Sequence, residues 1–367
     1  MRVLTTKKYV YGNIGKILPL SLTVALSVAF TYFLVLLSGH IIATNEELDL
    51  KPFEQMSIVS GTSEELPEEE KTKDYDTLIH AEMIDQQLYA KIRRVNFATL
   101  TADHGIQLFQ MTPDDIALLF TRQQGVLLEG TMPENRTEVL IHVELANKYS
   151  LSIGDLVEKD RLGWSIDENV KIVGVFESDV VIAFCAEDKA NLALGNAAII
   201  CLPKEGDLSE MNAYLEKNFG NRYNLFTYER IENTIKDSKN AIMGVTVVVG
   251  AIICVTLSVL LCNICMTQYA QRAKEFQLLF ALGYTKKRIA TNVLKEIGSS
   301  NLIGSLAGIG FGMLIGWVVN VSLMVDETFF VNLFALRALV AVIPIPLAVT
   351  LFCMIPPLRL IREDTQL

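Results

Sequence analysis

Hydrophobic and polar positions divide this chain into two kinds of territory. Four long runs, at 17–39, 241–271, 297–325 and 338–358, contain no Asp, Glu, Lys or Arg. Each meets the ~20 apolar residues that a helix needs to cross a hydrocarbon core of ~30 Å, so four transmembrane helices are predicted. The second run would extend roughly 47 Å as a helix at ~1.5 Å per residue. That excess reads either as a stalk continuing beyond the membrane or as a tilted span.

Between the first two runs the pattern is that of a folded α+β domain. Alternating or β-branched stretches at 92–100, 106–111, 138–143, 170–176 and 198–202 predict strands. Thr112-Pro113-Asp114-Asp115 supplies an N-cap and a first-turn proline for a helix over 116–121. Asp207-Leu208-Ser209-Glu210 opens a second helix, and 198–202, 207–217 and 223–226 together read as a βαβ unit. The expected fold class is therefore membrane α-helical: four transmembrane helices, with an extracytoplasmic α+β domain inserted between helices one and two. The boundaries are an N-terminal segment at 1–16, a span at 17–40, the α+β domain with its stalk at 41–240, and a span at 241–268. A loop at 269–296, a span at 297–325, a short loop at 326–337, a span at 338–358 and a tail at 359–367 complete the chain.

Charge sharpens the orientation. The chain carries −10 overall, with 51% apolar residues and a mean hydropathy of +0.34. Residues 41–240 hold 36 acidic and 19 basic residues, a net −17, and the remainder is +7. Arg2, Lys7, Lys8 and Lys16 precede the first span. Arg272, Lys274, Lys286, Lys287, Arg288 and Lys295 lie between the second and third, and Arg359 and Arg362 follow the fourth. The loop between the third and fourth carries Asp326 and Glu327 instead. The positive-inside rule then puts both termini in the cytoplasm of a multi-pass cell-membrane protein, with 41–240 outside. The first run exceeds the usual signal-peptide core and lacks a clear A-x-A site, so it reads as an uncleaved anchor. The run Glu64-Glu65-Leu66-Pro67-Glu68-Glu69-Glu70 reads as a solvated excursion, because it lacks the spaced ligands and turn glycine of a calcium loop.

Candidate chemistry is sparse. Cys254, Cys262, Cys265 and Cys353 lie in spans, whereas Cys185 and Cys201 lie outside and form either a disulfide or two buried thiols on neighbouring strands. The four histidines form no H-E-x-x-H motif, no metal site or nucleophile–base pair suggests itself, and no nucleic-acid partner is expected. No G-x-x-x-x-G-K-[ST] phosphate loop occurs, and with nine residues after Leu358 an ATPase domain is not expected on this chain. The third span places Gly304, Gly308, Gly312 and Gly316 on one face, suited to close helix packing within a protomer or across a dimer. Pro356-Pro357 reads as the stop of the fourth span.

Two stretches carry a family resemblance. The segment from Leu128-Glu129-Gly130-Thr131-Met132-Pro133 through Glu138-Val139-Leu140-Ile141 to Ile153-Gly154-Asp155, closed by Val170-Lys171-Ile172-Val173-Gly174-Val175, resembles the extracytoplasmic core domain of MacB-type permeases. The loop Gln271-Arg272-Ala273-Lys274-Glu275-Phe276-Gln277-Leu278-Leu279-Phe280-Ala281-Leu282-Gly283-Tyr284 resembles the signature after the second span of FtsX-like permeases. The resemblance implies a permease subunit of an ATP-binding cassette transporter of the mechanotransmission class. ATP and Mg would bind a separate cytoplasmic ATPase rather than this chain. A second permease copy or homologue, and an extracytoplasmic adaptor or lipoprotein, are further implied partners. The implied activity is export, extraction or expulsion of a peptide, lipoprotein or amphiphilic antibiotic. The alternative is an FtsX-type regulator of cell-wall hydrolases. Arg272, Lys274, Glu275, Phe276, Leu279, Phe280, Gly283 and Tyr284 would form the ATPase-coupling site. Phe276, Leu279, Phe280 and Gly283 recur at helical spacing as an apolar face for a partner's groove or for lipid headgroups.

Overall fold

The computed structural model describes residues 14–62, 67–99, 103–159, 163–192, 197–204, 208–322 and 330–363. Leu100, Asp207, Glu64 to Leu66, Asp326, Glu327 and the basic residues before position 14 lie outside the described residues. The chain divides into two compact units, a helical one running to His40 and resuming at Asn240, and a sheet one over Ile41–Lys239.

The helices α1 (Ile14–Asn45), α6 (Tyr228–Gln271) and α8 (Lys286–Ser322), and the pair α9 (Leu336–Val342) and α10 (Pro344–Glu363), supply four segments long and apolar enough to cross a membrane. Between α6 and α8 lies the short α7 (Ala273–Ala281). The 44-residue α6 starts at Tyr228, well before the uncharged run. Pro356 and Pro357 sit inside α10, which corrects the expected stop. A proline in a span removes a backbone hydrogen bond, but neighbouring helices and local adjustment re-satisfy the freed carbonyls.

The sheet unit is built on ten strands among the described residues: β1 (Ser57–Thr62), β2 (Ile84–Ala98), β3 (Asp103–Met111), β4 (Val126–Gly130), β5 (Glu138–His142), β6 (Leu156–Val157), β7 (Val170–Glu177), β8 (Ala183–Ala186), β9 (Ala198–Pro203) and β10 (Tyr223–Phe226). Their order is β10-β1-β9-β2-β3-β8-β5-β7-β4, with β6 on β7. The 15-residue β2 joins two half-sheets: its first half pairs with β9 and its second, from Lys91 on, with β3. The helices are α2 (Glu68–Ile79), α3 (Pro113–Arg122), α4 (Val143–Tyr149) and α5 (Leu208–Phe219).

Helix starts follow the expected chemistry. The Thr112 hydroxyl accepts from the Asp115 N–H and donates to the Asp115 carboxylate, capping α3. His142 ends β5 and caps α4, its Nδ1 accepting from the Glu144 N–H at 3.2 Å. Burial pushes the His142 pKa down to about 4. The acidic run does not stay an excursion from Glu68 onward. Pro67 opens α2, and carboxylates near a helix N-terminus are favoured by its dipole. Leu78 of α2 then packs with Met211, Leu215 and Phe219 of α5 on one half-sheet. The segments 198–203, 208–219 and 223–226 form β9-α5-β10, but β1 inserts between the two strands and is antiparallel to both.

Two glycines of the MacB-like segment are needed where they stand. Gly130 has φ +84°, and a Cβ there would lie 2.1 Å from the Val173 carbonyl oxygen. Gly154 has φ +96° and donates its N–H to the Ile172 oxygen.

Candidate functional site

The joint between α6 and α8 gathers most of the predicted coupling residues. Arg272 breaks the helix after Gln271, and its carbonyl accepts from the Glu275 and Phe276 N–H groups to restart the chain as α7. At its far end α7 closes with a left-handed Gly283 at φ +84°. The Gly283 N–H reaches the Phe280 carbonyl and the Tyr284 N–H reaches that of Leu279. This is the paired 5→2 and 6→1 arrangement that a C-terminal glycine makes possible.

Arg272 is the centre of the joint. Its Nε donates to Glu275 at 2.8 Å and its Nη1 to Glu296 at 2.9 Å. The guanidinium also lies 5.4 Å from the Tyr269 ring centroid and 5.7 Å from that of Phe276. Those two rings are stacked, 6.3 Å apart at 15°. The Arg272 and Glu296 side chains are each 8% exposed. Three helices are thereby tied at one point: α6 through Tyr269, α7 through Phe276, and α8 through Glu296.

Burial corrects the expected docking face. Phe276 is 1% exposed, packed in the helical unit's own core, so it is not available to a groove on another protein. Leu279, Phe280 and Tyr284 are partly buried against the same core, and the Arg288 guanidinium lies 5.1 Å from the Tyr284 ring. The large apolar side chains that α7 and its cap expose are Leu278 and Leu282, 63% and 64% exposed, with Lys274, Glu275 and Gln277 exposed beside them. Sequence reasoning missed Tyr269 and Glu296. The available signal was a lone carboxylate at the border of an uncharged run, next to Lys295.

The glycine face of α8 meets α1 of the same chain. A Cβ on Gly304 would lie 2.6 Å from the Ser21 carbonyl oxygen, and one on Gly308 2.5 Å from that of Ala25. On Gly312 it would lie 2.9 Å from Tyr32 and 3.1 Å from the Ala29 oxygen. Gly316 faces Leu333. Backbone contact of this closeness is what small residues at a membrane helix interface permit.

Cys185 and Cys201 are both buried and free. They lie on β8 and β9, which β2 and β3 separate in the sheet, so they are not on neighbouring strands. At ~4.8 Å per strand three strand spacings far exceed the ~7 Å limit for bridging Cα atoms. Burial pushes each thiol up to about 12, leaving both protonated near neutrality.

Comparison with known proteins gives a family match over one part of the chain. Residues 247–365 match the model described as FtsX-like permease C-terminal. No curated protein matches the sequence. Among solved structures, the periplasmic region of MacB from Actinobacillus actinomycetemcomitans is 13% identical at a TM-score of 0.29, over 50% of this chain and 92% of that one. The extracellular domain of the noncanonic ABC-type transporter YknZ from Gram-positive bacteria is 13% identical at 0.29, over 47% and 99%. A domain of a putative permease protein from Porphyromonas gingivalis is 14% identical at 0.26, over 48% and 92%.

Proposed function

We propose, for a chain whose residues 247–365 match the family described as FtsX-like permease C-terminal, that it is the permease subunit of an ATP-binding cassette transporter. It would transmit cytoplasmic ATP hydrolysis to its sheet unit, with both termini in the cytoplasm and a second permease copy or homologue beside it. The hydrolysing subunit is a separate polypeptide that binds ATP and Mg. The observation that carries this reading is the position of the joint inside the matched region. A short helix exposes Leu278 and Leu282 while its inner side is fixed to the helices on either side of it.

In this mechanism the ATPase grips the exposed side of α7. Because Phe276 and Arg272 fix α7 to α6 and α8, α7 cannot tilt alone, and displacement passes into both long helices. α6 then carries the stroke along its 44 residues to Tyr228. The substrate is handled by the sheet unit: a peptide, a lipoprotein or an amphiphilic antibiotic.

The test is co-purification of the full chain with its ATPase, followed by reconstitution. Leu278→Glu combined with Leu282→Glu is expected to abolish the complex while the permease still inserts and folds. Retention of the complex with unchanged ATP hydrolysis would remove α7 as the docking element.

A further inference from the structure

A cavity of about 420 Å³ lies within the sheet unit, inside the ~300–1,000 Å³ range of small-molecule pockets. Its floor is apolar: Phe53 and Phe226 stack at 6.4 Å, and Ile58 is buried beside them. One wall is the start of α6, where Ile231, Thr234, Ile235 and Ser238 recur on a single helical face. Leu48 and Asp49 of a π-helical turn at Glu46–Leu50, a rare conformation found frequently at functional sites, also line the cavity.

Three polar groups line this space: one is a buried acceptor without a partner among the described residues, and two are charges with exposed surface. The Gln107 Oε1 is buried and has no hydrogen-bond partner among the described residues. Leaving such an acceptor unpaired costs free energy that a ligand donor would recover. Arg94 lines the cavity from an exposed position and has no carboxylate partner among the described residues. Gly105 makes room for it, since a Cβ there would meet the Arg94 Cδ at 3.1 Å. Asp49, on the π-helical turn, presents a carboxylate that is 42% exposed and held by His104 at 3.3 Å.

We propose that this cavity binds a short apolar peptide with both termini free, its ammonium on Asp49, its carboxylate on Arg94, a backbone N–H on the Gln107 oxygen and its side chains against Phe53, Phe226 and Ile235. An unpaired cation and an available anion on one apolar space match a zwitterion with an apolar body, whereas a fatty acyl chain would leave Asp49 and Gln107 unanswered. The inference rests on the transporter reading for its purpose and names that transporter's substrate class. It also gives the stroke an object, because the helix that forms one wall of the cavity is the helix that ends at Gln271, next to Arg272.

The experiment is isothermal titration calorimetry on the full chain in lipid nanodiscs, with Leu-Leu-Leu as probe and its N-acetylated and C-amidated forms alongside. Leu-Leu-Leu is expected to bind. Either cap is expected to weaken it at least about tenfold, the scale of a lost charge-assisted hydrogen bond. In Asp49→Asn the N-acetyl group should cost nothing further, and in Arg94→Gln the same should hold for the amide. Ile235→Trp should fill the space and abolish binding. Both charge variants alter exposed positions, so they keep the test valid even where Ile235→Trp fails to fold. No binding of Leu-Leu-Leu, affinities indifferent to both caps, or dodecanoate displacing the peptide with no dependence on Asp49 would each overturn the proposal. None of these readouts involves the ATPase, so their failure leaves the coupling reading standing, and loss of coupling leaves the cavity standing.

Discussion

The two ends of α6 are built in opposite ways. At its C-terminal end the Tyr269 and Phe276 rings stack beside the buried Arg272 guanidinium, and Glu296 closes the arrangement from α8. At its N-terminal end Ile231 and Ile235 border a cavity, beside a Gln107 oxygen and an Arg94 that have, among the described residues, no hydrogen-bond partner and no carboxylate respectively. The lever proposed for α6 would need this asymmetry. In that proposal the end that receives force would have to be rigid, because a loose contact absorbs displacement, and the end that performs work would need room for a change of volume.

Breaking the rigid end should have the largest effect. Glu296→Ala leaves the Arg272 guanidinium buried without its main partner, and removing one member of a buried pair typically costs about 3–5 kcal/mol. Thermal denaturation of the detergent-solubilised chain should show that loss, and Phe276→Ala should cost a similar ~3–5 kcal/mol. At the hollow end Ile231→Ala should cost only about 1 kcal/mol, because a half-buried side chain next to an existing void loses few contacts. Equal costs at the two ends would remove the contrast.

Acidification separates the units next. His142 is neutral in the fold with its pKa pushed down to about 4, against an ordinary 6.5. Below pH 6.5 the unfolded state takes up a proton that the folded state refuses, so stability is full above 6.5 and is lost as pH falls toward 4. The loss approaches ~3 kcal/mol by linkage. His142→Asn, which keeps a capping side chain but does not titrate, should flatten the pH dependence of sheet-unit unfolding, read by hydrogen exchange of β5 and β7. An unchanged slope would locate the acid sensitivity elsewhere.

Packing along α8 is the third test. Gly308→Leu should destabilise by ~1–3 kcal/mol or more through overpacking against the Ala25 backbone, measured as a lower denaturation midpoint. Gly310 has open space around it and should accept alanine without loss. The smallest expected effect is that of a reductant: with Cys185 and Cys201 free, dithiothreitol should leave the sheet unit's unfolding unchanged.

The membrane helices were legible because uncharged length is a strong signal, and Gly283 was legible because a left-handed helix end leaves glycine as the ready choice. The periodicity of α7 was also real, but periodicity cannot say whether an apolar face meets a partner or its own chain. Phe276 went inward because Tyr269 and Arg272 offered it a stacked neighbour and a cation. Strands β1, β4 and β8 escaped notice for local reasons. Ala183–Ala186 is only four residues, Val126–Gly130 is exposed at every position and so shows no alternation, and Ser57–Thr62 bends at a bulge. The cavity has no signature in the sequence at all, since Asp49, Arg94 and Gln107 come from separate elements that only the sheet order brings together.

The claim that α6 links a locked joint to a working cavity is tested most directly by a distance across that cavity. Spin labels at Ser60 and Ser238, both on its wall, would be followed in the reconstituted permease with its ATPase by pulsed electron paramagnetic resonance. ATP should shift the distance distribution in the parent, and Leu278→Glu with Leu282→Glu should abolish the shift while the distribution without nucleotide stays as it was. An ATP-dependent shift that survives both substitutions, or no shift in a parent complex that hydrolyses ATP, would contradict the account.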